Sequence, residues 1–309
     1  VEEESDVGKG RTALAIMGAV ALAAGLAACG EKKEDSNSAA PNPSASVKQV
    51  TKDDALAGKV PAKIKEDGKI SIGVDSTYPP NEFLDTDGKT VVGFDVDLFN
   101  AVATKLGLKT EWTTSAFDDI IPGVQSGKYE AGVSSFTIND DRKKNSLMVS
   151  YFSAGTQWVT VKGNPNKINP DDACGKSIAV QTGTVQETED LPKKQKACKD
   201  AGKPEIKVAP YQKQSEATAA VASGKHDAML ADSPVCVDAV RATSGKLELL
   251  GKVYDSAPYG YVLNKDQKEF AEAIQGALKA LIADGTYTEI LKKWNVQDGA
   301  LSGTPGINP

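Results

Sequence analysis

From Lys69 onward the chain alternates between two spacings of apolar residues. Short runs at 70–74, 109–113 and 158–161 have strand character. Between 95 and 106 the apolar positions Val96, Leu98, Phe99, Val102 and Leu106 recur at helical spacing, and Gly107 stops the run. A shorter helix is predicted over 120–126, ended by Gly127, and a short buried strand over 128–133. The composition breaks at Gly163-Asn164-Pro165-Asn166, and a second series follows. It predicts strands at 177–181, 206–209, 227–231 and 259–263, with helices at 186–199 (across Pro192), 214–223 and 235–243. Two further helices, 267–283 and 286–294, complete the series. Such alternation predicts an α/β fold class, and 309 residues allow one large domain or two ordinary ones. No internal repeat of solenoid length is apparent.

The N-terminal region is patterned differently. Lys9 and Arg11 precede an apolar run over 12–28 that ends Leu26-Ala27-Ala28-Cys29. The run suits a signal-peptide core better than a membrane span, so 1–28 is read as a lipoprotein signal peptide. Its end is similar to a bacterial lipobox, in which Cys29 becomes the lipidated first residue. The other reading is an ordinary signal peptide with an incidental cysteine. Glu2, Glu3, Glu4 and Asp6 make the extreme N-terminus acidic, which is unusual for such a segment. Residues 29–59, rich in Ser, Asn, Pro, Ala, Lys and Glu, predict a flexible tether. Residues 298–309 read as a short C-terminal tail.

Charge and cysteines narrow the function classes. The formal net charge is −6, with both signs interleaved, which argues against a nucleic-acid partner. Cys174 and Cys198 bracket the 180–184 segment in a compartment where disulfides persist, so a bridge between them is expected. Cys236, in the run Pro234-Val235-Cys236-Val237, reads as a buried free thiol. One histidine (His226, in a polar turn and read as exposed and non-functional) and no Cys-x-x-Cys spacing argue against a metal site. No cofactor is expected.

The densest chemistry lies in Val133-Ser134-Ser135-Phe136-Thr137-Ile138-Asn139-Asp140-Asp141-Arg142. A strand ending in hydroxyls, then a turn, then arginine is a small anion clamp: the guanidinium grips a carboxylate while hydroxyls and amides fill its other lone pairs. The simpler alternative is a capped strand end, with Asn139 or Asp140 as helix N-cap and Arg142 solvated.

This segment resembles the polar-amino-acid group of bacterial extracellular solute-binding proteins that serve ABC importers. Further motifs stand in that family's order: 72–83 (Ile72-Gly73-Val74-Asp75 to Phe83), Val92-Gly93-Phe94-Asp95-Val96-Asp97-Leu98 and 117–124. They continue with Val180-Gln181-Thr182-Gly183-Thr184, Ala228-Met229-Leu230-Ala231-Asp232 and Ala283-Asp284-Gly285-Thr286-Tyr287. The resemblance covers roughly 69–296. It implies a type II periplasmic-binding-protein fold, two α/β lobes joined by two hinge strands. Lobe 1 would comprise 60–157 plus 256–297 and the inserted lobe 2 would comprise 163–252, with crossings near 156–162 and 252–263. It further implies a monomer, lipid-anchored at the cell surface on the outer face of the cytoplasmic membrane, that binds a polar amino acid, either a basic one such as arginine, lysine or ornithine or a neutral one such as glutamine, and delivers it to ABC permease subunits with their ATPase.

The same resemblance assigns roles. Arg142 would bind the ligand α-carboxylate, with Ser134, Ser135 and Thr137 beside it and Gly183 and Thr184 opposite. Asp232 would take the α-ammonium, although an aspartate ahead of Ser233-Pro234 also suits a helix N-cap. Tyr78 and Phe117 would sandwich the side chain, or pack in the core. Asp75 and Glu82 are acidic candidates for a basic side chain, although Asp75 could equally cap a loop. Gln181 occupies a variable pocket position that helps set specificity. Trp112, Trp158 and Trp294 are read as structural. Asn81, where an aromatic residue is common, and Val185, where a second hydroxyl is frequent, depart from the pattern. The rival readings are an enzyme on the same fold, similar to cyclic-acid dehydratases, and a ligand-sensing lipoprotein.

Overall fold

The structure is a computed structural model that describes residues 41–42 and 45–309. The expected signal peptide and Cys29 lie outside the described residues. The chain begins with two short helices, α1 (Asp54–Gly58) and α2 (Ala62–Lys65), then β1 (Lys69–Val74). A small hairpin sheet follows: β2 (Thr77–Tyr78), β3 (Glu82–Leu84) and β4 (Val91–Val92). Then come α3 (Phe94–Lys105), β5 (Lys109–Thr114), α4 (Phe117–Gln125), β6 (Ala131–Gly132), α5 (Asp140–Asn145) and the long β7 (Ser146–Val161). The second series runs β8 (Ser177–Gln181), α6 (Leu191–Asp200), β9 (Lys207–Tyr211), α7 (Gln214–Ala222), β10 (Ala228–Asp232) and α8 (Ser233–Ala242). The long β11 (Leu247–Asn264) leads back to α9 (Lys268–Ala283) and α10 (Thr286–Lys293).

The large strands form one sheet in the order β5-β1-β6-β11-β7-β10-β8-β9. Its two outer thirds are parallel, β5-β1-β6 on one side and β10-β8-β9 on the other. The antiparallel pair β7–β11 runs through the middle and belongs to both lobes. Residues 146–154 of β7 pair with 257–264 of β11 beside lobe 1, and 156–161 pair with 247–254 beside lobe 2. The register slips between Leu250 and Tyr254 and again before Ala257. There the two strands cross between lobes. Gly155 sits at this point, where a Cβ would lie 2.5 Å from the Tyr254 carbonyl oxygen. The crossing on β7 therefore falls at about residue 155 rather than over 156–162, because 156–160 are already paired with β10.

Strands buried on both faces explain the layering. In β8, Ile178 and Val180 face a core with Trp158, Leu191 and Cys198, while Ala179 faces one with Val159, Ala217, Val221 and Val235. Lobe 1 repeats the scheme: Ile70, Ile72, Phe99 and Tyr261 pack with α3 and α9 on one face, and Ile120, Phe136 and Val262 pack with α4 on the other. Cys174 and Cys198 form a disulfide that ties α6 to the segment before β8.

Three expectations need adjustment. The strand over 128–133 is only Ala131–Gly132, because Lys128 and Tyr129 still bond back to Gly123 at the end of α4. The helix over 186–199 opens with a wide π-turn, Gln186–Asp190, and only then becomes α6. Pro192 falls in the first turn of α6, where its missing N–H costs nothing. Of the expected 29–59 tether, 29–40 lie outside the described residues, and its later part is docked: Val47, Val50 and Leu56 pack on the lobe 1 core, and the Asp53 N–H donates to the Lys105 carbonyl. Three apolar side chains suffice to dock a segment whose average composition reads as disordered. The 298–309 tail is also docked. Gly306 and Asn308 exchange hydrogen bonds with Ser150 and Met148 along the outer edge of β7.

Candidate functional site

The cleft between lobes collects side chains at or just past the carboxyl ends of strands: Asp75 after β1, Ser134 and Ser135 after β6, Gln181 at the end of β8 and Asp232 at the end of β10. These residues line one pocket together with Tyr78, Phe117, Thr137, Arg142 and Thr184. Loops at the carboxyl edge of parallel strands are where open α/β sheets bind ligands.

Arg142 is the cation of the site. Asn139 caps α5, accepting from the Arg142 N–H at 2.9 Å. The helix-cap alternative is thus correct for Asn139, yet the Arg142 guanidinium points into the cleft. It donates to the Thr137 carbonyl at 2.7 Å and, across the cleft, to the Gly183 carbonyl at 3.1 Å. Phe117 and Phe136 stack on each other at 4.7 Å, with the guanidinium over both rings at 5.5 Å. Burial lowers its pKa to about 10, an effect opposed by Asp232 and Glu189, so it stays charged at neutral pH.

Asp232 is the facing carboxylate. Its backbone starts α8, but its side chain makes no cap bond. Instead it accepts from the Tyr259 hydroxyl at 2.7 Å and from Gln186 Nε2 at 2.8 Å, while its own N–H donates to the Tyr78 hydroxyl at 3.2 Å. Burial raises its pKa, and the two hydrogen bonds, Tyr78 and Arg142 oppose that rise. Gln186, absent from the sequence reading, reaches Asp232 from the π-turn. Its position two residues after Thr184 was the available signal.

In the same pocket, Asp75 accepts from the Thr77 N–H and hydroxyl at 2.9 and 2.6 Å, and from Gln181 Nε2 of the opposite lobe at 2.8 Å. It is therefore both a loop cap and a cleft residue. Burial raises its pKa against these bonds.

Glu82 requires a correction. It is fully buried behind Ser134 and Ser135 and does not line the pocket. The Ser134 hydroxyl accepts from the Asp75 N–H and donates to Glu82 Oε1, both near 3 Å. Ser135 has φ +52°, a strained conformation for serine. It is held by its N–H on Asp95, by its hydroxyl on Glu82, and by Asn81, which donates to that hydroxyl at 2.8 Å. Burial, then the neighbouring Asp95, pushes the Glu82 pKa well up, and burial raises that of Asp95 to about 6. Tyr151 donates to the same Asp95. A carboxyl sealed under the serines and bonded to both hydroxyls fixes their orientation and is out of reach of a ligand in the pocket. Asn81 belongs to this support and does not itself line the pocket.

Gly183 has φ +79°, and a Cβ there would lie 2.9 Å from Asp118 Cβ of the other lobe, so only glycine permits this approach. Its N–H is bonded to Glu187 at 2.6 Å, and the Thr184 hydroxyl donates to the Gln181 carbonyl at 2.7 Å. These two groups, expected to face a ligand carboxylate, are bonded within lobe 2, and Gly183 contributes its carbonyl to Arg142 instead.

Outside the cleft, His226 is half-buried rather than exposed, placed 2.8 Å from both the Ser177 and Tyr211 hydroxyls. Cys236 is a buried free thiol whose pKa burial raises. Among the described residues no cluster of His, Cys, Asp and Glu could hold a metal ion, and no helix is long and apolar enough to cross a membrane.

The chain is 32% identical over 293 residues to the arginine-binding protein ArgT of Corynebacterium glutamicum, covering 94% of each. Among solved structures it is similar to an ancestral arginine-binding protein bound to arginine, with 37% identity and TM-score 0.67, covering 74% of this chain and 98% of that one. An ancestral arginine-binding protein bound to glutamine gives 35% identity, TM-score 0.67 and the same coverage. These likenesses identify the two lobes as a type II periplasmic-binding-protein fold. Residues 70–297 match the pattern of the bacterial extracellular solute-binding proteins, family 3, and the chain belongs to that family.

Proposed function

We propose that this protein is the substrate-binding component of an ABC importer, that it captures a basic amino acid between its lobes, and that arginine is the leading ligand. One observation carries the reading: a single pocket lined by a cation, Arg142, and a carboxylate, Asp232, that interact electrostatically, and by a second buried carboxylate, Asp75. The first two are complementary to the zwitterionic head of an amino acid, and Asp75 to a cationic side chain. The relatives support it, being binding proteins named for arginine, for lysine, arginine and ornithine, for cystine and for glutamine. The reading assigns no bond-making step, and the chain acts as a carrier rather than an enzyme. Its partners would be the permease subunits with their ATPase, and it would act as a monomer held at the outer face of the cytoplasmic membrane by lipid on Cys29.

Thermal shift against the twenty amino acids, ornithine and citrulline tests the ligand, after unfolding and refolding to strip anything carried through purification. At about 100 times Kd a ligand adds about 2.7 kcal/mol. Arginine should shift strongly and citrulline, its neutral near-isostere, weakly. No shift with any amino acid refutes the reading, and equal shifts for these two remove the role of charge at Asp75. For the anchor, Cys29→Ser should abolish metabolic labelling with palmitate; retained label refutes lipidation there.

A further inference from the structure

Around Asp75 the two lobes are joined directly by hydrogen bonds. Gln181, buried at the end of β8, donates through Nε2 to Asp75 Oδ2 across the cleft at 2.8 Å and to the Gln212 carbonyl of its own lobe at 3.2 Å. Both amide hydrogens are thereby used. Beside it, the Gln214 N–H of lobe 2 donates to the Thr77 hydroxyl at 3.1 Å, and that hydroxyl donates to Asp75 Oδ1. Asp75 thus receives three hydrogen bonds from Thr77 and Gln181, and one comes from the opposite lobe.

We propose that Gln181 is an internal stand-in for the ligand's side-chain head group, a latch that occupies Asp75 in the closed cleft and is turned aside when a ligand reaches that carboxylate. The proposal rests on the reading that Asp75 receives the ligand side chain. Its physical content is competition for one oxygen. A neutral amide hydrogen bond to a buried carboxylate is given up, and a charge-assisted bond from a guanidinium or ammonium replaces it. The exchange favours the cation by less than the full strength of its new bond. Gln181 therefore lowers affinity while stabilising closure, and a ligand must supply a donor stronger than a carboxamide to gain at Asp75.

The test uses Gln181→Ala, with Gln181→Leu as a second variant of nearer volume, in the full chain freed of carried ligand by refolding. Arginine should bind both variants about 3- to 10-fold more tightly than wild type, the equivalent of one net hydrogen bond no longer surrendered. Small-angle scattering without arginine should give both variants a larger radius of gyration than wild type, because the latch no longer holds the lobes together. Weaker arginine binding by both variants would make Gln181 a ligand contact and overturn the proposal, as would scattering identical to wild type. Asp75→Asn separates the two layers, since it keeps an acceptor for Gln181 while removing the charge. If it binds arginine as wild type does, the side-chain reading of Asp75 fails, while the scattering comparison still reports on the latch.

Discussion

Asp232→Asn separates binding from folding. The carboxylate accepts from Tyr259 through one oxygen and from Gln186 through the other. In the variant, one oxygen becomes an NH2 group that would face the Gln186 amide, donor to donor. Gln186 can respond by rotating its carboxamide half a turn. Its oxygen then accepts from the new amide and from the Thr156 hydroxyl, which its nitrogen contacts at 3.1 Å in the native protein. Every hydrogen bond is retained, a buried charge is removed, and the attraction to Arg142 is lost. These changes oppose one another, so stability should stay within about 1 kcal/mol of wild type. Binding behaves differently, because the ligand ammonium exchanges a carboxylate for a neutral amide in a buried site. That costs about 2–4 kcal/mol, or roughly 30- to 700-fold in Kd. Titration calorimetry with arginine reads the loss, and urea melts read the stability. A variant that binds within about threefold of wild type would refute the assignment of Asp232 to the ammonium.

Three other perturbations probe separate parts of the molecule. Gly183→Ala forces a Cβ against Asp118 at positive φ, so arginine binding should weaken by about 1–3 kcal/mol through impaired closure; undiminished affinity by calorimetry would show that the lobes need not approach so closely. Replacing Cys174 and Cys198 together by serine opens a loop spanning 24 positions and should cost about 3.5 kcal/mol in urea melts, with a loss below about 1 kcal/mol contradicting the loop-entropy account. Glu82 and Asp95 have folded-state pKa values raised above those of the unfolded chain, so the folded chain holds protons that the unfolded one releases. The stability from that uptake is complete below about pH 4 and is lost as pH rises through the folded values. Glu82→Gln, a permanent neutral donor, should flatten this decline in melts between pH 4 and 8, and an unchanged slope would exclude Glu82 as its source.

Much of the architecture was legible because strands buried on both faces and amphipathic helices leave distinct periodicities. The crossing on β11 falls within the anticipated 252–263, but that on β7 lies at Gly155, just ahead of the anticipated 156–162, since a long strand serving two lobes reads the same on either side of its bend. The docking of 47–56 was not legible because it depends on Val47, Val50 and Leu56, not on average composition. In the cleft, the charges of Arg142, Asp232 and Asp75 announced themselves. What side-chain direction decides did not: Glu82 and Asp75 are both acids in one motif, yet one is sealed behind serines and the other faces the cleft. Gln186 went unread for a related reason: its spacing from Thr184 was the only cue, and its reach to Asp232 depends on the π-turn that carries it.

The insertion of one lobe within the other also orders events during synthesis. Everything lobe 2 needs, from the second half of β7 to the first half of β11, leaves the ribosome as a contiguous stretch. Lobe 1 cannot be completed then, because it still lacks the rest of β11, α9, α10 and the segment at Gly306–Asn308 that covers the edge of β7. The half of the protein that begins first is thus the half that finishes last, with part of its hydrophobic core exposed until the chain is nearly complete. That interval, rather than the stability of the finished fold, is when the first lobe is most open to misassociation.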